Sequence, residues 1–473
     1  MPAFTRLTRR QQLIWKIAVA AIVLFALSSY FPSSLTFIST TAPAKQIPEY
    51  PPPTYDAIRS YERNLPQHNL DLPFPGGQTG RYVKFSNQIK ALGWNNCLNE
   101  VYATSAHGQK PLPLTHLSSL MNAHLAYESK RAYVFQDYYW KPQYFPWKVP
   151  DWPWPRTPLN ALISGPTAGG PWDPDDPAPR SVSEDWFEIV CPEIERRIIH
   201  VEDFKPAVAN APGDVVFDHW KRILHDAPER CIEIVPAPAE VDAFSQTFDL
   251  WLWGSTRMLA MWERFLNSPT SRLLGPSPVV RAAVERNERL FAPRHAFSAR
   301  RDSFARLMAV HIRRGDYNDA CLNLANYNAT YYSWNLLDVL PDRFDPPPGG
   351  TMGQNTPENI EVYKAHCLPS MDSIVRTIQK ARADYIRPSS SFWHRRVLDA
   401  IHLLTNEDNE WVVSLKDKLH REGWQTVVTS HDLVLDQEQI AVSMAVDMDI
   451  ARRAAVFIGN GVSPCCQSLG VSH

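Results

Sequence analysis

The sequence Ala-Val-His-Ile-Arg-Arg-Gly-Asp-Tyr occupies residues 309–317 and continues an apolar run that begins two residues earlier. An apolar run that ends abruptly in polar residues is typical of a buried parallel strand. Ligands of open α/β sheets bind at the carboxyl ends of such strands. Arg313 and Arg314 suit an anion there, because a guanidinium group pairs bidentately with phosphate oxygens and stays charged. We therefore expect an anion-binding loop, in which Gly315 permits a tight turn.

Two other interpretations of this motif need no anion. Residues 314–316 spell Arg-Gly-Asp, an adhesion tripeptide, but such a tripeptide needs an exposed loop tip and the preceding strand argues against one. The charges could also form a structural ion pair at the strand end. The rest of the chain has to separate these alternatives, since short motifs often occur by chance.

Strand-like and helical segments alternate along the chain. Strands are predicted over 81–85, 131–135, 397–404, 424–428 and 455–458, and helices over 371–385 and 411–419. Asp436 and Gln439 have the spacing of a capping box at a further helix start. This alternation predicts an α/β fold built on parallel, doubly wound sheets.

Composition narrows the class of protein. The chain has 473 residues, of which 44% are hydrophobic, so it can bury two domains with accessory segments. A formal net charge of -2 provides no electrostatic reason to expect nucleic acid as a partner.

The N-terminal segment has the pattern of a membrane anchor. Basic residues precede an apolar stretch over 13–31, which is just long enough to cross a bilayer. This predicts a cytoplasmic tail at 1–12, a type II single-pass anchor and a Pro-rich stem at 32–80, with the remainder in the lumen of the Golgi or ER. The alternative is a cleaved signal peptide, for which residues 42–44 are a poor and distant cleavage site.

Two further features agree with a luminal location. Asn328 begins the N-glycosylation sequon Asn-Ala-Thr, and seven cysteines are compatible with disulfides in an oxidising compartment. Order along the chain makes two pairings plausible without excluding others: Cys191 with Cys231, and Cys321 with Cys367.

The pattern His-x-Arg-Arg-Gly-Asp at 311–316 resembles the signature of the GDP-fucose-dependent fucosyltransferases, which include the protein O-fucosyltransferases and the α1,2- and α1,6-fucosyltransferases. The resemblance implies that Arg313 holds the diphosphate of GDP-fucose and is catalytic. It also implies that His311, Arg314, Gly315 and Asp316 belong to the donor site, where they orient Arg313 and shape its loop.

A second segment resembles the closing motif of the same family. It contains Asp447 and then Phe-Ile-Gly-Asn-Gly-Val-Ser over 457–463. The resemblance implies that Asp447 recognises guanine and that Asn460 and Ser463 contact the donor, Ser463 at a phosphate. A carboxylate can accept in parallel from the ring N–H and amino group of guanine. Asp449 completes an Asp-x-Asp pattern, but two helical residues spaced in this way point about 200° apart and cannot chelate one metal ion together.

The first half of the chain also resembles this family. Residues 93–95 read Gly-Trp-Asn after the first strand, and the resemblance implies that Asn95 faces the donor and the forming bond, with Asn96 as the alternative register. A helix cap is the structural alternative. Glu100 and Asp137 lie in suitable segments for a general base, but neither is singled out.

The resemblance implies a GT-B architecture with two Rossmann-like domains facing a cleft, an acceptor-side domain at 81–240 and a GDP-fucose-binding domain at 241–473. The implied activity is an inverting, metal-independent transfer of fucose from GDP-fucose to a protein Ser or Thr or to a glycan hydroxyl. The alternatives are a transferase for another nucleotide sugar and an inactive, membrane-anchored binding protein. The inactive alternative is favoured by the Pro-Cys-Cys-Gln sequence after Ser463, where the family pattern breaks.

Overall fold

The computed structural model describes residues 51–86, 118–150, 152–238, 241–242, 245–292, 302–315, 317–330, 333–338, 344–351, 353–386 and 396–459. Within these ranges no helix has both the length and the apolar composition that crossing a membrane requires. The anchor predicted for 13–31 lies outside the described residues.

The first sheet is parallel and lies in the first half of the chain. Its strands are β1 (Tyr82–Phe85), β2 (Ala132–Phe135), β6 (Val182–Ser183), β7 (Arg196–His200) and β8 (Cys231–Val235), in the order β6-β2-β1-β8-β7. Two small antiparallel pairs accompany it: β3 (Tyr138–Tyr139) with β4 (Arg156–Thr157), and β5 (Ile163–Ser164) with β9 (Gly275–Pro276).

The second sheet is also parallel and lies in the second half. Its strands are β10 (Leu307–Ile312), β11 (Ala400–Thr405), β12 (Thr426–Thr429) and β13 (Val456–Ile458), in the order β12-β11-β10-β13. Leu307 and Ala309 pack on one face, while Met308 and Val310 pack on the other. Because both faces are covered, β10 is apolar from Leu307 to Val310 and again at Ile312, as the sequence predicted, and His311 interrupts the run.

Helices connect and cover the sheets. They are α1 (Asp56–Arg63), α2 (Ser118–Glu128), α3 (Leu159–Leu162), α4 (Glu184–Val190), α5 (Val201–Phe204), α6 (Gly213–Asp226), α7 (Leu250–Trp253), α8 (Trp262–Leu266), α9 (Pro269–Arg272), α10 (Pro278–Asn287), α11 (Tyr317–Asn326), α12 (Pro357–Cys367), α13 (Met371–Ile386), α14 (Glu410–Arg421), α15 (Gln437–Ile440) and α16 (Ser443–Arg453). The predicted capping box of Asp436 and Gln439 begins α15. The mixed α/β architecture with parallel sheets is therefore confirmed.

A continuous hydrophobic core connects the two sheets. It contains residues of β1 and β2, of the helices between residues 213 and 287, and of one face of the second sheet. Separate apolar clusters cover the other face of each sheet. The helix α16 packs against β10 and α10, which places it on the core face of the second sheet.

The folded protein begins earlier than the predicted end of the stem at residue 80. Tyr55 and Leu65 are buried in the main core, and the Arg59 guanidinium binds the Asp137 carboxylate through both nitrogens, at 2.7 and 2.6 Å. His68 Nε2 accepts from the Ser183 backbone N–H at 3.1 Å, and burial lowers the pKa of His68 to about 4. Residues 55–80 therefore belong to the packed protein.

Both plausible disulfide pairings are confirmed. Cys191 after α4 is bonded to Cys231 in β8, and Cys321 in α11 is bonded to Cys367 at the end of α12. The Cys321–Cys367 bond joins two helices of the segment between β10 and α13. The proposed domain division near residue 240 stays a prediction.

Candidate functional site

The basic loop lies at the carboxyl end of β10. Ile312 is the last strand residue, and Arg313 and Arg314 follow it, both half-buried. Gly315 has φ +62°, and a Cβ atom there would lie 2.5 Å from Glu407 Oε1. The left-handed backbone favours glycine, whereas the Glu407 carboxylate is the end of a flexible side chain that can move aside, so the loop conformation depends on the backbone freedom of Gly315.

Strand order places the end of β10 at a topological switch point of the second sheet. The chain proceeds from β10 outward to β11 and β12, then returns to place β13 on the other side of β10. Val310 pairs with Ile458, so Arg313 and Gly459 both follow the ends of adjacent strands. The order of connection reverses between these two strands, and in parallel sheets ligands bind at such a switch point. The two predicted donor motifs therefore begin at the ends of adjacent strands.

The two arginines of the loop have different surroundings. The Arg314 guanidinium lies over the Trp411 ring at 4.4 Å, and its Nη1 donates to the Pro369 carbonyl at 3.3 Å. The Arg313 guanidinium lies 5.6 Å from the centre of the Tyr317 ring, at the start of α11. The structure thus attaches Arg314 to neighbouring elements on the α13 and α14 side.

Asp447 lies in α16 and faces the second sheet. Its Oδ1 is 2.8 Å from Nε2 of His402 in β11, and its Oδ2 accepts from the Ser430 hydroxyl at 2.5 Å. The Asp447 side chain is 16% exposed, whereas His402 is completely buried. The structure therefore brings a partly exposed carboxylate into a polar network at the sheet.

Asp449 has separate partners. It is buried and pairs with Arg452 and Arg453 on the next turn of α16, at 2.6 and 2.7 Å. The segment is helical, and the two carboxylates contact different groups, as helical geometry requires for residues two positions apart.

His311 lies near the end of β10 and is half-buried. In the parallel register Ala309 pairs with His402 and His311 with Leu404. Since side chains alternate along a strand, His311 and His402 share the sheet face that packs against α16. His311 is thus on the same face as Asp447.

Four predicted site residues lie outside the described residues: Asn95, Asp316, Asn460 and Ser463. Of the two general-base candidates, Glu100 also lies outside them. Asp137 follows β2, and its carboxylate is bound by Arg59 and lies 3.9 Å from Arg156. Arg59 binds both of its oxygens and Arg156 lies beside them, which makes Asp137 a structural partner.

Asn328, the predicted glycosylation site, is half-buried after α11. Its Oδ1 accepts from Asn355 at 3.3 Å and from the Tyr363 hydroxyl at 3.4 Å. Glycosylation at Asn328 stays a prediction.

Sequence reasoning missed His402 and Ser430. His402 is the one polar residue in the run Ala-Ile-His-Leu-Leu at 400–404. A polar residue inside a fully buried strand needs a hydrogen-bond partner. The histidine within this apolar run was therefore the sequence feature that could have identified His402. Ser430 directly follows β12, a position where strand-end polar groups meet.

No protein-family model and no curated protein sequence matches this chain. Two crystal structures of POFUT1 in complex with GDP-fucose, in crystal forms II and I, resemble its fold with a TM-score of 0.41 each. The sequence identities are 14% and 13%, and each comparison covers 74% of this chain and 88% of the other. At this level of similarity the function has to be argued from the residues of the site.

Proposed function

We propose that this chain is a GT-B fucosyltransferase that moves fucose from GDP-fucose to a protein Ser or Thr or to a glycan hydroxyl, with inversion and without a metal ion. One observation carries the proposal. Arg313 and Gly459 follow the ends of adjacent strands at the switch point of a parallel sheet. This is where a parallel sheet binds a nucleotide.

The chemistry of the donor agrees with these residues. When the bond between fucose C1 and the diphosphate oxygen breaks, negative charge grows on the diphosphate. Arg313 stabilises that charge, and backbone N–H groups of the Gly-Asn-Gly sequence at 459–461 add donors. Asp447 accepts from guanine, and the sequence motifs assign Asn460 and Ser463 to the same donor.

The acceptor hydroxyl forms its bond to fucose C1 on the face opposite the departing GDP, which inverts the configuration. Its proton passes to a base or to water, and GDP leaves with the electron pair of the broken bond. Asn95 is assigned to the reacting centre through the resemblance of its loop. The acceptor itself is proposed only as a class, a hydroxyl of a protein or a glycan.

The proposed location is the Golgi or ER membrane, with residues 13–31 as the anchor and the two sheets in the lumen. The two disulfides are compatible with an oxidising compartment. Alkaline extraction of membranes tests the anchor: the full-length chain should stay with the membrane, whereas a chain lacking residues 1–44 should be released.

The first test is calorimetric titration of the purified full-length chain with GDP, GDP-fucose and UDP in EDTA. We expect GDP and GDP-fucose to bind and UDP to bind at least about tenfold more weakly, because its base presents acceptors beside its N–H. Tighter binding of UDP would indicate that the donor is another nucleotide sugar. If none of the three nucleotides bound, the proposed donor site would be rejected. GDP binding without transfer to any acceptor or to water would indicate an inactive binding protein.

A further inference from the structure

The Asp447 carboxylate is held from the sheet side by two donors. His402 reaches Oδ1 from β11 at 2.8 Å, and Ser430 reaches Oδ2 from the end of β12 at 2.5 Å. Asp447 belongs to α16, so three separate elements meet at one carboxylate. Neither partner is near Asp447 in sequence, the separations being 45 and 17 residues.

The direction of each hydrogen bond follows from chemistry. An ionised carboxylate only accepts, so Nε2 of His402 carries the hydrogen. The Ser430 Oγ accepts from the Thr405 backbone N–H at 3.2 Å and has a single hydrogen to donate. That hydrogen goes to Asp447 at 2.5 Å rather than to the Leu403 carbonyl at 3.5 Å, because the shorter bond to a charged acceptor is much the stronger.

The two bonds orient the carboxylate plane. Each carboxylate oxygen has two acceptor positions, and the protein occupies one on each oxygen. The second position on each remains, and the side chain is 16% exposed. A ligand with two adjacent N–H donors matches this arrangement, whereas a base with a carbonyl beside its N–H brings an acceptor against an acceptor.

We propose that His402 is a positioning residue for base recognition: by holding Asp447 in one orientation, it sets the preference for a base that offers two neighbouring N–H donors. The inference rests on the proposed function, since the matching base is guanine. His402 touches no ligand and acts through Asp447. Its complete burial, edge-on to the Phe291 ring at 5.6 Å, keeps it in one position.

The experiment compares GDP with inosine diphosphate, which differs only in lacking the exocyclic amino group. For the full-length wild-type chain we expect GDP to bind at least about tenfold more tightly, because inosine leaves one charged acceptor without its donor. In His402→Leu the ratio of the GDP affinity to the inosine diphosphate affinity should fall toward one. His402→Gln, whose amide can still donate toward Oδ1, should recover part of the ratio.

If His402 had a purely structural role, its replacement would weaken the binding of GDP and of inosine diphosphate equally. The ratio of the two affinities would then stay at the wild-type value. That result in a folded His402→Leu protein, judged by its thermal unfolding, would overturn the inference while leaving GDP binding established. If His402→Leu fails to fold, Ser430→Ala carries the same comparison, because it removes the donor to Oδ2 from a half-buried position. Absence of GDP binding to the wild-type chain would reject the proposed function, and the inference with it.

Discussion

Arg313 and Arg314 are adjacent in the chain, but the structure gives them different surroundings. Arg314 stacks on Trp411 and donates to Pro369, contacts that hold the loop against α13 and α14. Arg313 lies beside Tyr317 at the switch point between β10 and β13. The proposed function assigns the diphosphate to Arg313, and the contacts of Arg314 give it the role of holding the loop in place.

Replacement of Arg313 should affect turnover more than stability. We expect Arg313→Ala to lower kcat for GDP-fucose hydrolysis about 100-fold or more, as removal of a preorganised charge contact does. Arg313→Lys should recover only part of this, because lysine lacks the bidentate fork. The control is Arg272→Ala at an exposed pair with Asp173, which should turn over as the wild type does. Near-normal turnover of Arg313→Ala would show that Arg313 is not the diphosphate ligand.

The buried His124 should make the free energy of unfolding depend on pH. It lies in α2 between the rings of Phe217 and Phe265, and burial lowers its pKa to about 4. In the unfolded chain the pKa is about 6.5, so the unfolded state binds the proton first as pH falls. The stability that this histidine contributes is complete above about pH 6.5 and is lost as pH falls toward 4.

We therefore expect His124→Phe to unfold with a smaller difference between pH 7.5 and pH 5.5 than the wild type, by roughly 1 kcal/mol. Urea unfolding at the two pH values measures this difference. His200→Gln, at an exposed position, is the control and should keep the wild-type difference. An unchanged difference in His124→Phe would mean that His124 titrates in the folded protein as it does in the unfolded one.

The segment between β10 and α13 forms a small helical unit directly after the basic loop. Tyr317, Phe344 and Tyr363 belong to its own apolar cluster, and the Cys321–Cys367 bond joins α11 to α12. Because α11 begins two residues after Gly315, its position should affect the conformation of the basic loop.

Removal of this disulfide should therefore weaken GDP binding as well as stability. The double variant Cys321→Ala with Cys367→Ala should lose about 3–4 kcal/mol of unfolding free energy, because the disulfide closes a loop of 46 residues. The same variant should also bind GDP more weakly. The matched control removes Cys191 and Cys231, which close a loop of 40 residues in the first sheet. The control should lose similar stability but bind GDP normally. Equal GDP affinities in both variants would show that the small helical unit does not affect the conformation of the basic loop.

Across the whole molecule, the segment before β1 is part of the core. Tyr55 is buried, and its hydroxyl donates to the Glu438 carbonyl at 3.0 Å, so this segment contacts the second half of the chain. A chain that starts at residue 81 also loses Arg59 and leaves Asp137 without this partner. We expect such a chain to lose several kcal/mol in urea unfolding, because large buried side chains contribute about 2–5 kcal/mol each. A chain that starts at residue 51 should match the full-length protein, and equal stability of all three would show that the segment is dispensable.

Local sequence was sufficient to predict β10, β11 and β13, the capping box of α15 and the parallel α/β architecture. Buried parallel strands are apolar on both faces, and helix caps depend on residues three positions apart, so neighbouring residues carry these signals. The sequence motif also identified the basic loop at the end of β10.

Long-range packing settled the features that the sequence analysis missed. Arg59 meets Asp137 across 78 residues, and His402 meets Asp447 across 45. The strand β8 carries Glu233 in its interior, where Lys84 of β1 and Arg196 of β7 lie close to it, so its charge is balanced by neighbours in the sheet. A buried polar residue requires a partner, and the sequence shows that requirement but not which distant residue the fold brings to meet it.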